Sequence, residues 1–133
     1  SSFKCMKAFL NSIVEHILDN SNVSYQNKLN KDFILEYINL HYMEDLYLDY
    51  MSEITDTSPK YFSNFFKKSV GINFVEYVNK IRMHHAMELL KNTDLPVSTV
   101  SERVGLSNSG TFANTFKKYC GVSPTEYRKE HRK

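Results

Sequence analysis

The chain has 133 residues, 41% of them hydrophobic, and a formal net charge of +2. This composition predicts one or two small domains and favours a folded chain over a disordered one. The sequence has no apolar run of the roughly 20 residues that a membrane span needs and no signal-peptide pattern, so we expect a cytoplasmic protein without membrane contact.

The first 30 residues are predicted to form an amphipathic helix and a polar linker. Phe3, Met6, Leu10, Ile13 and Ile17 recur at alternating spacings of three and four, which is an a/d pattern over two heptads. Such a helix either packs on its own domain or descends from an upstream domain as a dimerising helix, and the pattern leaves both open. The polar, asparagine-rich residues that follow are typical of a linker. We therefore assign residues 1–30 to an upstream region.

The next segment predicts a helix with Asn30 or Asp32 as its N-cap and Ile34 and Ile38 on its buried face. Few glycines and prolines and few alternating runs favour an all-α fold throughout. Residues 31–56 hold seven acidic residues and one lysine, whereas basic residues outnumber acidic ones from residue 57 onward. This asymmetry is expected of a protein with one anionic partner surface.

A self-match at an offset of fifty residues covers much of the remaining chain. The matched pairs are Phe62 with Phe112, Asn64 with Asn114, Phe66 with Phe116, Lys67-Lys68 with Lys117-Lys118, Gly71 with Gly121, and Glu76-Tyr77 with Glu126-Tyr127. A fixed-period match indicates a duplicated structural unit. Each copy predicts a short helix, a tight turn and a second helix, which is a helix-turn-helix plan.

Between the two copies, apolar residues at helical spacing predict a linker helix over about 72–92, with the helix-turn-helix units at about 46–70 and 96–120. A helix of 18–20 residues spans about 30 Å, and B-DNA repeats every roughly 34 Å. Such a rod holds two recognition helices in successive major grooves. We expect Asp94 to cap the helix that follows the linker helix, with Pro96 near its first turn.

Within each second helix, the two phenylalanines are four residues apart and are predicted to face the core. The flanking polar residues point the other way, where Asn pairs with adenine and Ser and Thr serve several base edges. Simple solvent exposure is the other interpretation of Asn64 and Asn114. The duplicated lysine pairs favour phosphate contact for at least one lysine of each pair.

The sequence predicts no enzyme, no cofactor and no metal site. It has no phosphate-binding glycine loop and no nucleophile elbow, and its histidines and acids form no paired catalytic set. Cys5 and Cys120 lack metal-ligand spacing and are interpreted as reduced thiols. The competing hypothesis is a helical protein-interaction or dimerisation module, based on the acidic segment and the N-terminal a/d pattern.

From about Lys31 to Arg132 the sequence resembles the DNA-binding domain of AraC/XylS-type bacterial transcription regulators. The resemblance rests most on residues 97–128, VSTVSERVGLSNSGTFANTFKKYCGVSPTEYR, and on Arg82, Ala86 and Leu89-Leu90 of the linker helix. It implies seven helices in residues 31–133, two tandem helix-turn-helix subdomains on a linker helix, and promoter DNA as the partner of an activator. RNA polymerase and a second copy of the chain are possible further partners.

The resemblance also implies which residues touch DNA. Base readout is expected from Lys60, Ser63 and Asn64 in the helix from Ser58 to Ser69, and from Ser109, Gly110, Thr111, Ala113 and Asn114 in the helix from Asn108 to Tyr119. DNA-backbone contacts are expected from Ser58, Lys67, Lys68, Arg82, Lys117, Lys118 and Arg128. Pro124 and Tyr127 are structural in this pattern. Asp56 stands where a Gly is common in the first turn, and Asp tolerates the left-handed conformation.

Overall fold

The computed structural model describes residues 29–132, and this part of the chain forms seven α-helices and no β-strand. The helices are α1 (Lys31–His41), α2 (Leu48–Ile54), α3 (Pro59–Val70), α4 (Phe74–Asn92), α5 (Val97–Arg103), α6 (Ser109–Cys120) and α7 (Pro124–His131). The predicted all-α class, with two tandem helix-turn-helix units on a long linker helix, is confirmed. The predicted N-terminal helix and most of its linker lie outside the described residues.

Asparagine side chains begin α1 and the linker helix α4. Asn30 Oδ1 accepts a hydrogen bond of 2.8 Å from the amide of Phe33, so Asn30 rather than Asp32 caps α1. Asn73 Oδ1 accepts one of 2.8 Å from the amide of Glu76. Each such cap stabilises its helix by about 1 kcal/mol. The linker helix has 19 residues, as predicted, and no helix in residues 29–132 is long and apolar enough to cross a bilayer.

The two units share one backbone turn between their helices. The amide of Thr57 donates to the carbonyl of Ser52 in the first unit, and the amide of Leu106 donates to the carbonyl of Ser101 in the second, both at 2.9 Å. Ser52 and Ser101 are buried. A small side chain at this point lets the second helix of each unit cross closely over the first, as the sequence predicted.

Both turns pass through a left-handed residue. Asp56 has φ 54° in the first unit, and Gly105 has φ 96° in the second. Asp56 is the one non-glycine residue with positive φ among those described. The prediction that Asp56 replaces a glycine in the left-handed conformation is therefore confirmed, and its short polar side chain makes that conformation tolerable.

The linker helix divides its buried face between two hydrophobic cores. The first core consists of Ile34, Ile38, Met51, Phe62, Phe66, Phe74 and Val78. The second consists of Met83, Ala86, Leu90, Val100, Val104, Phe112, Phe116 and Tyr127. The N-terminal half of α4 thus belongs to the first unit and its C-terminal half to the second. One continuous helix therefore carries both units.

The segment between α4 and α5 differs from the prediction. Pro96 is the residue before α5, and it makes no side-chain cap, so the predicted Asp94 cap is wrong. Asp94 instead forms an ion pair with Arg132, whose Nη1 also donates to the carbonyl of Thr93 at 3.0 Å. The Asp94 carboxylate, which the local sequence pattern assigned to capping, therefore pairs with an arginine almost forty residues later in the chain.

Candidate nucleic-acid interface

The second helices of the two units, α3 and α6, have matching geometry. Each has 12 residues, and each ends at a left-handed glycine, Gly71 or Gly121. Their phenylalanine pairs, Phe62–Phe66 and Phe112–Phe116, are at most 1% exposed, which confirms them as packing residues. From residue 61 to 70 and from 111 to 120, buried and exposed positions follow the same order. The two units therefore present equivalent outer faces.

The predicted base-reading residues lie on these outer faces. Lys60, Asn64, Ser109, Gly110, Thr111 and Asn114 are exposed, and Ser63 and Ala113 are half-buried. At 3.6 residues per turn, Asn64 lies about 200° around the axis from Phe62, and Asn114 has the same relation to Phe112. Each asparagine therefore points directly away from its core, as a base-reading residue must. Their contacts with bases stay a prediction.

The first turns of α3 and α6 begin with polar caps. Ser58 Oγ accepts a hydrogen bond of 3.1 Å from the amide of Tyr61, and Asn108 Oδ1 accepts one of 3.0 Å from the amide of Thr111. Both cap residues are exposed and retain donor groups, the Ser58 hydroxyl hydrogen and the Asn108 amide nitrogen. Those donors are available to an anion next to the helix N-termini.

The duplicated lysine pairs occupy the last turn of each helix. Lys67, Lys68, Lys117 and Lys118 are all exposed. Cations at this end also stabilise the helix by interacting with its macrodipole. Their exposure beside the outer faces suits phosphate contact, and that role stays a prediction as well.

Tyr61 is an outer-face residue that the predicted site did not include. Its side chain is 59% exposed, whereas tyrosine is intermediate in burial among residue types. It occupies the position in α3 that Thr111 occupies in α6. The fifty-residue offset itself was the signal that could have identified it, since Thr111 was already among the predicted readers.

Arg82 binds carbonyl groups of its own chain. Its Nε donates to the carbonyl of Tyr42 at 2.8 Å, and its Nη2 donates to the carbonyl of Glu44 at 2.9 Å. Burial lowers the pKa of the guanidinium, and the charge of Asp45 partly offsets that effect. The sequence analysis assigned Arg82 to the DNA backbone, whereas the structure directs two of its donor groups into the fold.

Arg128 is likewise turned inward. Its Nε donates to the carbonyl of Leu90 at 3.0 Å, and its Nη2 is buried with no hydrogen-bond acceptor among the described residues. Leu90 lies in the last turn of α4, where unpaired carbonyls and the helix macrodipole favour a cation. Arg128 therefore fastens α7 to the end of the linker helix. Pro124 and Tyr127 of α7 are buried, so their structural role is confirmed.

An open cleft of about 240 Å³ separates the α1–α2 loop from the start of α6. Its lining includes Asp45 and Tyr47 on the loop, Arg82 on the linker helix, the cap residue Asn108 and Thr111 on α6. Within residues 29–132, no group of three or more His, Cys, Asp or Glu side chains is arranged to hold a metal ion.

Comparison with known proteins identifies the family of this arrangement. A family model described as a helix-turn-helix domain matches residues 51–130. An uncharacterized HTH-type transcriptional regulator of Bacillus subtilis, YtdP, is 34% identical over 93% of this chain and 16% of its own length. The regulatory protein PocR of Salmonella typhimurium is 34% identical over 95% of this chain and 44% of its own length. The chain thus spans less than half the length of these two relatives.

Among solved structures, the C-terminal domain of AraT, a response regulator from Geobacillus stearothermophilus, has a TM-score of 0.72 and 40% sequence identity. The match covers 74% of this chain and 82% of that domain. The similarity therefore extends over both helix-turn-helix units and the linker helix that joins them.

Proposed function

Because the chain belongs to the AraC/XylS-type helix-turn-helix family and is a DNA-binding domain of a transcriptional regulator, we propose that α3 and α6 enter successive major grooves of promoter DNA. The observation that carries this proposal is the single linker helix α4 with one unit packed on each half. Its 19 residues span about 28 Å, close to the roughly 34 Å repeat of B-DNA. Both units then meet one face of the duplex.

Base readout is proposed for the outer faces of the two helices. The proposed readers are Lys60, Ser63 and Asn64 in α3 and Ser109, Gly110, Thr111, Ala113 and Asn114 in α6. Asn64 and Asn114 suit adenine, whose N6 and N7 match the carboxamide, and Lys60 suits guanine O6 and N7. Gly110 has no side chain and permits close approach, and the methyl group of Ala113 suits apolar contact with the thymine methyl group.

Backbone contacts are proposed for the cap and the lysines. The proposed contacts are Ser58, Lys67, Lys68, Lys117 and Lys118, all of them exposed. For Arg82 and Arg128 we propose a role in holding the fold rather than phosphate contact, since both bind carbonyls of their own chain.

The rest of the regulator is also a matter of proposal. We propose that residues 31–133 form the DNA-binding domain and that residues 1–30 join it to an upstream region. The regulator acts in the cytoplasm as an activator without enzymatic activity of its own, contacts RNA polymerase, and forms a homodimer through the N-terminal region. Sedimentation of the chain with and without residues 1–24 tests the last point, because a dimer that depends on this region becomes a monomer on its removal.

Titration against DNA tests the central proposal. A duplex of roughly 20 bp selected from a random library by the intact chain is expected to contain two blocks, and scrambling either block is expected to weaken binding. Affinity is expected to fall steeply with salt, because each neutralised phosphate contributes about −0.9 to the slope of log K against log salt. Fluorescence anisotropy at several salt concentrations measures the affinity for the selected and scrambled duplexes and its dependence on salt. Absence of binding at low salt, or binding insensitive to salt, contradicts the proposal.

A further inference from the structure

The loop between α1 and α2, residues 42–47, contacts both helix-turn-helix units. Leu46 packs against the first core, whereas Tyr42 packs against the second. At the start of the loop, Nδ1 of His41 lies 2.7 Å from Oε2 of Glu44, so the loop is tied to the end of α1. A segment anchored in the first unit therefore reaches the second.

Two contacts fasten this loop to the middle of the linker helix. The guanidinium of Arg82 holds the loop backbone at two carbonyl groups, those of Tyr42 and Glu44, at 2.8 and 2.9 Å. The ring of Tyr42 stacks on the imidazole of His85 with a centroid distance of 4.0 Å and an interplanar angle of 2°. Hydrogen bonds from a charged, half-buried donor are among the stronger ones in proteins.

A third contact reaches the turn of the second unit. A Cβ atom on Gly105 would lie 3.0 Å from the carbonyl oxygens of both Tyr42 and Met43, so the loop backbone rests directly on this glycine. At the equivalent point of the first unit stands Asp56, whose side chain is exposed. The loop backbone therefore packs against the turn of the second unit, at Gly105.

We propose that the loop of residues 42–47 is a clasp that sets the orientation of the second unit relative to the first. Tyr42 and Arg82 are then positioning residues, which act on DNA recognition through the spacing of α3 and α6. The linker helix alone is one connection, and long helices bend. The clasp adds a second connection, so the two units and the helix form a closed ring of contacts. This inference rests on the proposed binding of two successive grooves.

Tyr42→Ala and its matched control Tyr42→Phe test the clasp. The alanine variant removes the ring that stacks on His85 but keeps the carbonyl that accepts from Arg82, and the phenylalanine variant keeps the ring. Each is titrated against the two-block duplex selected by the intact chain and against duplexes with one or two base pairs inserted between the blocks. Circular dichroism verifies that each variant is helical.

The expected result is a change in spacing preference. For Tyr42→Ala the ratio of affinities for correct and altered spacing falls by about tenfold, which corresponds to about 1.4 kcal/mol. For Tyr42→Phe the ratio is unchanged. An equal loss of affinity on all duplexes would show a purely structural role and overturn the clasp. If the intact chain itself shows no two-block preference, the proposed function fails instead.

A measurement without DNA gives an independent answer. Spin labels are placed at Glu53→Cys in α2 and Lys129→Cys in α7, in a background of Cys5→Ser and Cys120→Ala. The distribution of label distances is expected to be narrow in the intact chain and broad with Tyr42→Ala. A distribution of unchanged width overturns the proposal whatever the DNA titrations give. If Tyr42→Ala does not fold, Arg82→Lys, which retains the charge but not the two-carbonyl geometry, replaces it in both experiments.

Discussion

Gly105 and Asp56 occupy equivalent turns, but only Gly105 is covered by another part of the chain. Both residues have positive φ, at 96° and 54°. Gly105 additionally lies under the carbonyls of Tyr42 and Met43, where a Cβ atom would be 3.0 Å from both oxygens, closer than ordinary van der Waals contact. The second unit thus has glycine at this turn where the first unit has aspartate, because the α1–α2 loop packs against the turn only in the second unit.

Reciprocal substitutions are expected to have unequal effects. Gly105→Asp should lower the free energy of unfolding by about 2 kcal/mol, because it adds backbone strain and forces the loop away. Asp56→Gly should change it by less than about 1 kcal/mol, since glycine accepts the same φ and only the entropy of the unfolded chain rises. Urea unfolding followed by circular dichroism measures both. Equal losses for the two variants would contradict the docking of the loop on Gly105.

At the scale of elements, α3 and α6 combine two roles on opposite sides. The phenylalanine pairs fix each helix against its core, and the outer faces carry polar side chains at matching positions. The lysines follow in the last turn, on the same exposed surface. Base readout and phosphate contact are therefore separable by substitution, because they involve different side chains of one rigid helix.

Asn114→Ala and Lys118→Ala are expected to give different binding defects. Loss of the Asn114 carboxamide should relax preference at particular base pairs by about tenfold, whereas loss of the Lys118 charge should weaken all sequences alike and reduce the salt slope by about one. Selection from a randomised duplex library and salt titrations measure these effects. Lys91 is an exposed lysine outside α3 and α6, so Lys91→Ala is the control. It should leave the base preference and the salt slope unchanged. Identical profiles for Asn114→Ala and Lys118→Ala would refute the division of roles.

At the scale of the whole molecule, two small cores are connected by α4 and by the α1–α2 loop. His85 lies at this connection, stacked on Tyr42 and near His84, whose ring centroid is 5.7 Å away. Burial lowers the pKa of His85, the neighbouring His84 lowers it further, and Glu88 acts in the opposite direction. We therefore expect protonation of the His85 imidazole to weaken the connection between the units.

Stability is expected to decrease in acid through His85. Because its pKa is lower in the folded chain than in the unfolded one, the unfolded chain binds the proton more readily. The stabilisation is complete above the unfolded pKa of about 6.5 and is lost as the pH falls from there through the folded pKa. His85→Phe keeps a ring for stacking and cannot titrate. The urea midpoint should thus fall less between pH 7.5 and pH 5.5 in this variant than in the intact chain, and an equal fall contradicts the prediction.

Several features were determined by the sequence alone. The repeat predicted two matching helix-turn-helix units, the four phenylalanines of their cores, and the length of the linker helix. These features depend on contacts within about four residues or on a repeat visible in the chain, so their physical cause is local. The left-handed Asp56 was predictable for the same reason, since backbone sterics at one residue decide it.

Tertiary structure alone decided the partners of the charged side chains. Arg82 binds the carbonyl of Tyr42 forty residues away, and Arg128 binds that of Leu90 across 38 residues. Asp94 pairs with Arg132 instead of capping a helix. A guanidinium can donate hydrogen bonds to a phosphate or to a carbonyl oxygen, so residue type does not distinguish these roles. Only the packing of the loop and α7 against the linker helix brings these carbonyls within hydrogen-bond distance.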